Sequence, residues 1–289
     1  MVKILITGSN GQLGSEFRAI AREHPHFRFI FTDVGELDIT NSNRLDEFFR
    51  SEAPDVVINC AAYTAVDKAE DEPEKAIWIN RDAVANLAGA CSLYDTFMVH
   101  ISTDYVFDGN SSRPYTENDI PSPTSVYGLS KLDGEESMQA CLQKGLIIRT
   151  SWLYSSFGNN FVKTILRRCN QPSSLGIVTD QTGSPTYGRD LARAILNILP
   201  DAMASNELEI LHYSNEGSCT WYELAQEIVK LSATGCRIHP ILTKDFKSRA
   251  VRPVYSVLDN TKARKKYGLT IPGWKVSLKE CITLLKESE

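Results

Sequence analysis

Val2-Lys3-Ile4-Leu5-Ile6-Thr7-Gly8-Ser9-Asn10-Gly11-Gln12-Leu13-Gly14 is the stretch that decides the fold of this 289-residue chain. Residues 2–7 are short, largely apolar and β-branched, the character of a strand buried in a parallel sheet. Gly8 follows at once, and Leu13, Phe17 and Ile20 then recur at helical spacing, which starts a helix near Gly11. Strand, glycine turn and helix form the context in which a dinucleotide fingerprint has meaning. The helix N-terminus aims N–H groups and partial positive charge at a pyrophosphate. Glycine permits the tight turn and the close approach of phosphate to backbone. The spacing of Gly8, Gly11 and Gly14 is G-x-x-G-x-x-G rather than G-x-G-x-x-G, and a strand-to-helix turn without a ligand reads the same.

Downstream, His26-Phe27-Arg28-Phe29-Ile30-Phe31-Thr32 reads as the next strand and ends at Asp33. An acidic residue about twenty positions past the glycines is where an adenosine ribose is held. A carboxylate there bonds a 2′-hydroxyl and repels a 2′-phosphate. No Lys or Arg lies between Phe31 and Asn43, which leans toward NADH, or toward a loose choice between NADH and NADPH. Glu36 and Asp38 stand close enough to compete with Asp33 for the role, and an ordinary loop aspartate is the plain alternative.

Strand and helix then alternate: a strand over Asp55–Cys60, a long alanine-rich helix over Ala76–Cys91, a strand over Thr96–Ser102, a helix over Tyr127–Cys141 and a strand over Leu146–Thr150. This pattern predicts an α/β fold with a doubly wound, Rossmann-like parallel sheet, whose ligands bind outside the carboxyl ends of the strands. After Thr150 the pattern loosens. Helices are expected over Asn160–Asn170, Arg189–Leu199, Trp221–Leu231 and Leu278–Lys286, a strand-and-turn segment over Gly176–Tyr187, and one more strand for the main sheet over Glu207–Ser214. The division that follows is a dinucleotide-binding domain over 1–154, with 187–215 returning to it, and a smaller interleaved substrate domain over 155–186 and 216–289.

The same crevice receives a second element. Ser102-Thr103-Asp104 ends one strand, and Tyr127-Gly128-Leu129-Ser130-Lys131 opens a helix. Tyr127 and Lys131, four apart, share a helix face. A phenol with a pKa near 10 exchanges protons poorly at neutral pH. A neighbouring ammonium would favour the phenolate and lower that value. Tyr127 can then give its proton to a carbonyl oxygen as hydride reaches the carbon, with the Thr103 hydroxyl orienting that oxygen. A surface i,i+4 pair is the bland alternative. It loses ground because a glycine fingerprint and a strand-terminal Ser-Thr accompany the pair.

Composition bounds the rest. Net charge is -5 and the sequence pI about 5.7, which gives no basic footprint for nucleic acid. No apolar run reaches membrane-spanning length, and the first strand starts too early for a signal peptide. Seven scattered cysteines without a C-x-x-C pair fit reduced thiols in a cytoplasmic protein. His24 and His26, with no cysteine or carboxylate cluster beside them, fit a loop rather than a metal site.

These residues resemble the extended short-chain dehydrogenases/reductases over nearly the whole chain. The resemblance rests on residues 8–14, Leu37–Thr40, Asn59–Glu70, Ser102–Gly109, Tyr127–Lys131, Arg149–Trp152, Gly158–Phe161, Asp180–Thr186 and Arg252-Pro253. It implies reduction of the 4-keto group of a dTDP-linked 6-deoxyhexulose by NADPH or NADH, in a monomer or homodimer. It also implies roles: Tyr127 as proton donor, and Lys131 on the nicotinamide ribose. Gly11, Gln12 and Leu13 would meet the pyrophosphate, Asp38 and Ile39 the adenine side, and Ala62, Tyr63 and Thr64 the middle of the cofactor. Thr103 and Asp104 would meet the sugar, Trp152 would wall the pocket, and Asn80 would support the lysine or a water. Asn160 and Arg252 are added as candidates for the nucleotide phosphates, since amide and guanidinium groups donate to phosphate oxygens.

Departures matter as well. Some members dimerise around magnesium held by carboxylates, and two such positions read here as Arg189 and Lys275, so no metal is expected. Two alternatives to a reductase remain. One is a sugar-nucleotide dehydratase or epimerase, against which stands Tyr105, in place of a glutamate after Asp104. The other is a non-catalytic regulatory subunit of methionine adenosyltransferase, which has no need of Thr103, Tyr127 and Lys131 together.

Overall fold

The runs that read as buried strands assemble side by side. In a computed structural model, which describes residues 1–169, 174–233 and 235–287, five of them are β1 (Val2–Thr7), β2 (Phe27–Phe31), β3 (Val56–Asn59), β4 (Phe97–Thr103) and β5 (Gly145–Thr150). With the strand Leu208–His212 they form one six-stranded sheet in the order Leu208–His212, β5, β4, β3, β1, β2. Every pairing is parallel.

Alternating side chains of each strand enter two apolar layers, which explains why apolar residues predominate in the strands. Ile4 and Ile6 face one layer with Phe17 of α1 (Gln12–Ile20) and Leu191 and Ile195 of the helix Gly188–Ala204. Leu5 faces the other with Leu45 and Phe49 of α2 (Ser42–Glu52), Leu87 and Met138. Ile4, Leu5, Ile6, Phe17 and Phe49 are fully buried, each contributing about 1.5–3 kcal/mol relative to exposure.

Several elements differ from expectation. The helix over Ala76–Cys91 is three pieces: Pro73–Ile77, a π-helical turn Trp78–Asp82, and Ala83–Leu93. Asn80 sits in that wide turn, and its amide grips both backbone groups of Tyr63. The helix expected to end at Leu199 runs through Pro200 to Ala204, its apolar face continuing with buried Ala202. The last helix begins at Trp274, whose ring enters the second core. Of the helix expected over 160–170, Phe161–Cys169 is observed and residue 170 lies outside the described residues.

Beyond β5 the chain builds a second domain around Tyr154, Val162, Ile165, Leu224, Ile228, Trp274 and Leu278. Its strands are short. Leu175–Val178 pairs in parallel with Ile238–Ile241, and Thr182–Gly183 antiparallel with Cys219–Thr220. The first pairing corrects the reading of seven reduced thiols. It brings Cys169 and Cys236 together as a disulfide with a Cα–Cα distance of 5.0 Å. Cys60, Cys91, Cys141, Cys219 and Cys281 are free.

The strand order decides where a ligand fits. From β1 the chain goes to β2 on one side, then returns past β1 to β3, β4 and β5 on the other. The loops after β1 and β3 therefore diverge and open a crevice between them. Among the described residues no helix is long and apolar enough to cross a membrane.

Candidate active site

Two cavities meet in that crevice, sharing Gly11, Cys60 and Ala62. The first, about 480 Å³, is lined by the β1 turn, the segment after β2 and the loop after β3. Gly8 has φ +62°, and a Cβ there would lie 2.6 Å from the Ala61 backbone. Only glycine lets the two loops approach this closely. Gly11 caps α1 with extended backbone and no side-chain bond, so its helix end presents bare N–H groups toward the crevice.

Asp33 and Asp38 both border this cavity, with Ile39 beside them, and among the described residues no Lys or Arg lines it. Asp33 accepts from the N–H groups of Asn10 and Val34, each at 2.9 Å. That ties the end of β2 to the glycine turn. Asp38 accepts from the N–H and hydroxyl of Thr40 at 2.9 and 2.7 Å. Glu36 instead accepts from the Asp33 N–H. Trp78, half exposed, completes the wall from the π-turn.

The second cavity, about 570 Å³, gathers Gln12, Leu13, Thr64, Thr103, Asp104, Tyr127, Lys131, Trp152, Asn160 and Arg252. Ala62 and Thr64 line it, but Tyr63 between them does not. In the extended loop its ring turns the opposite way, with its hydroxyl donating to Glu72 at 3.0 Å. Asn80 serves that loop and Ser130 rather than Lys131. Asn160 caps the helix Phe161–Cys169 by accepting from the Lys163 N–H, and its amide donates to Gln12 Oε1 at 3.0 Å and Ser155 O at 2.7 Å. It thereby clasps the second domain to the glycine turn. Arg252 donates to Asp67 Oδ2 at 2.7 Å and to Ser248 at 3.2 Å, with the Tyr105 hydroxyl at 3.4 Å.

Trp152 holds φ +48°, a left-handed conformation unusual for an aromatic residue. Two contacts fix it. Its ring stacks on Trp221 with centroids 3.5 Å apart and planes 6° from parallel. The indole also lies against Gly183, where a Cβ would sit 2.4 Å from the ring.

Ser125 caps the helix Val126–Cys141 by accepting from the Gly128 N–H at 3.1 Å, which sets Tyr127 and Lys131 at its first turns. The Tyr127 ring packs edge-on to Tyr105, centroids 5.5 Å apart. Burial pushes the Tyr127 hydroxyl above its ordinary value, and a hydrogen bond with Thr103 opposes the shift. The expected lowering by Lys131 is absent. The lysine Nζ instead donates to Ile101 O at 2.6 Å and lies 3.3 Å from His100 Nε2. Burial brings Lys131 down to about 8, against the pull of Glu135 and Cys60. Asp104 is 2% exposed, and burial pushes its carboxyl up to about 6 while Ser256 and Thr103 hydrogen bonds oppose the rise. Its Oδ1 accepts from Thr103 at 3.0 Å, and its Oδ2 is buried. Beneath them, Glu135 is held by Arg149 at 2.6 Å and Ser102 at 2.5 Å.

Reading the sequence did not single out Trp78, His100 or Trp221, and took Tyr105 only as a departure from a dehydratase pattern. Trp221 comes from the second domain, and nothing local couples it to Trp152. Tyr105 and His100 adjoin Ser102–Asp104 in sequence, a proximity that marks them only once β4 is known to end at the site.

The chain matches the model of the RmlD substrate binding domain family over residues 2–287. The dTDP-4-dehydrorhamnose reductase of Aggregatibacter actinomycetemcomitans is 38% identical over 287 residues, covering 96% of this chain and 98% of that protein. A crystal structure of a dTDP-4-dehydrorhamnose reductase from Clostridium acetobutylicum superposes with a TM-score of 0.93 at 43% identity, covering 99% of this chain and 100% of that one. The dTDP-4-dehydrorhamnose reductase from Bacillus anthracis, solved in complex with NADP, gives 0.92 at 36%, covering 98% and 100%. With sequence, fold and crevice in agreement along the chain, it belongs to the RmlD family of the extended short-chain dehydrogenases/reductases.

Proposed function

We propose that the chain reduces the 4-keto group of dTDP-4-dehydro-L-rhamnose to dTDP-L-rhamnose with NADPH or NADH. The observation that carries this reading is the convergence of Thr103, Tyr127 and Lys131 in a cavity continuous with a glycine-built one. The crevice fits a dinucleotide: close-packed backbone at Gly8 and Gly14, a bare helix N-terminus at Gly11, and carboxylates where a ribose needs acceptors. Gly8, Gly11, Gln12, Leu13 and Gly14 would hold the pyrophosphate. Asp33, Asp38 and Ile39 would hold the adenosine, Ala62 and Thr64 the centre, and Tyr127 and Lys131 the nicotinamide ribose.

A reduced nicotinamide bound there supplies a hydride to the ketone carbon. The Tyr127 hydroxyl donates its proton to the ketone oxygen, and the Thr103 hydroxyl bonds the same oxygen and orients it. Asp104, beside Thr103 in the cavity lining, would meet a sugar hydroxyl. Trp152, braced by Trp221, walls the sugar, and Arg252 at the rim faces the nucleotide phosphates. Tyr105 after Asp104 leaves no second carboxylate for a dehydratase, and a purely regulatory binder would not need the proton donor.

We also take 1–154 with 187–215 as the cofactor-holding unit, and 155–186 with 216–289 as the substrate-holding unit. The reaction is placed in the cytoplasm, without nucleic acid, in a monomer or homodimer. It is taken as independent of metal, because Arg189 and Lys275 stand where carboxylates would be needed, and Arg189 is paired with Glu16 at 2.9 Å. The test is NADH and NADPH consumption with enzymatically generated dTDP-4-dehydro-L-rhamnose, in the presence and absence of a chelator. Stoichiometric formation of dTDP-L-rhamnose, unaffected by chelation, is expected. No consumption of either cofactor would end the assignment, and loss on chelation restored by magnesium would end the metal-free part of it.

A further inference from the structure

Below the floor of the second cavity runs a buried polar chain that the reduction itself does not use. Asn59, at the end of β3, accepts at Oδ1 from the Thr7 hydroxyl at 2.7 Å and from the Ala61 N–H at 3.2 Å. A backbone N–H can only donate, so this contact fixes which end of the Asn59 amide is oxygen. Its NH2 end then faces His100 Nδ1 at 3.1 Å. That nitrogen must accept, and a neutral imidazole carrying a lone pair at Nδ1 carries its proton on Nε2. His100 is fully buried, and burial with the nearby Lys131 holds it well below its ordinary value, so the ring is neutral. Its Nε2–H points at Lys131 Nζ, 3.3 Å away.

The two forms of lysine meet this N–H differently. An ammonium has three N–H groups and no lone pair, so it meets the imidazole donor to donor. An amine offers a lone pair to the imidazole N–H and still donates to Ile101 O. The other groups facing Lys131 are Glu135 along its own helix and Cys60 after β3, and both favour the ammonium. Glu135 is itself engaged by Arg149. Against them stand burial and the fixed tautomer.

We propose that His100 is a positioning residue for Lys131: the Thr7–Asn59–His100 chain locks the Nε2–H tautomer and so controls when Lys131 carries its proton. This rests on the role given to Lys131 above, but it is read out separately. Thr7 and Asn59 stand on β1 and β3, the strands whose loops form the cofactor crevice. The glycine turn and the lysine are thus linked through side chains that touch neither ligand. If Lys131 acts as the ammonium, turnover falls as pH rises through the lysine's value, and burial together with the tautomer holds that basic limb below the free-lysine range.

The experiment is NMR of the full chain with labelled histidine and lysine, followed through pH, together with the pH profile of kcat/KM. In the parent, His100 should remain the Nε2–H tautomer between about pH 6 and pH 9. In His100→Leu, the Lys131 titration and the basic limb should move up together by about 1 pH unit or more. Asn59→Asp presents an acceptor to Nδ1, so it should convert His100 to the Nδ1–H tautomer and move Lys131 in the same direction. The Nδ1–H tautomer in the parent would overturn the proposal, and so would an unmoved Lys131 titration in either folded variant. If His100→Leu does not fold, the parent tautomer and Asn59→Asp decide. If Lys131 shifts but no keto-sugar nucleotide is reduced, the chain exists and the reductase reading fails.

Discussion

The two cavities of the crevice are made of different material. The first is built largely from backbone: a glycine turn, a helix N-terminus, and loops held by carboxylates that already accept from local N–H groups. The second is built from side chains whose protonation the fold has displaced, with Tyr127 and Asp104 raised and Lys131 lowered. The difference follows from the work each end does. Holding a pyrophosphate needs donors at fixed positions, and peptide groups provide them without titrating. Moving a proton needs titratable groups in the right protonation state: burial brings Lys131 and Asp104 toward neutral pH and keeps the Tyr127 hydroxyl protonated, the form that donates.

The sharpest test of this contrast is Tyr127→Phe. It removes only the hydroxyl, and general acid help is worth about 10²–10⁴-fold, so turnover should fall by that range with cofactor affinity almost unchanged. Thr103→Val should lose less, because it orients the ketone oxygen without supplying the proton. Parent turnover in Tyr127→Phe would reduce Tyr127 and Lys131 to a structural pair.

A stability measurement probes the same cavity. Lys131 goes from an ordinary 10.5 to about 8 in the folded protein. Between those values the unfolded chain holds a proton that the folded one lacks, so Lys131 makes stability rise with pH there. Its burial cost is complete below about pH 8. In Lys131→Met that rise should vanish, and the parent should gain on the variant by something on the order of 2–3 kcal/mol across the window. Parallel denaturation curves from pH 8 to 10.5 would show that the lysine keeps its ordinary value.

In the backbone-built cavity, Gly14→Ala places a Cβ 2.5 Å from Gly8 O and Ser9 Cα. The turn must shift, and cofactor Kd should rise about tenfold, roughly 1.4 kcal/mol. The kcat at saturating cofactor should change far less. Equal losses in kcat and affinity would mean the two cavities are not separable. The smallest effect belongs to Asp33→Asn. Removing one carboxylate from the adenosine end should favour NADPH over NADH by about fivefold, near 1 kcal/mol at surface dielectric. An unchanged ratio would move the ribose contact to Asp38.

Legibility followed the range of the interactions. The parallel sheet was readable because each strand is an apolar run bounded by turns, and because helices alternate with it at regular intervals. Gly8, Gly11 and Gly14 were readable because a strand precedes them and helical spacing follows. Where tertiary contacts decided the outcome, the reading strayed. The π-turn at Asn80 exists because that amide holds Tyr63, seventeen residues away, through both backbone groups. The disulfide between Cys169 and Cys236 depends on Leu175–Val178 pairing with Ile238–Ile241. The direction of Lys131 could not be inferred from its spacing to Tyr127, since i,i+4 geometry states which face is shared and not what lies beneath it.

By itself the sequence determined the strand–glycine–helix start, the doubly wound sheet and the set of side chains able to deliver a proton. These depend on local periodicity and chemistry, which a one-dimensional string records. Only the tertiary structure decided that Trp221 braces Trp152, that Asn160 clasps Gln12, that Arg252 answers Asp67, and that His100 faces Lys131. Each of those depends on contacts between separate elements, and burial then sets the protonation of what they enclose.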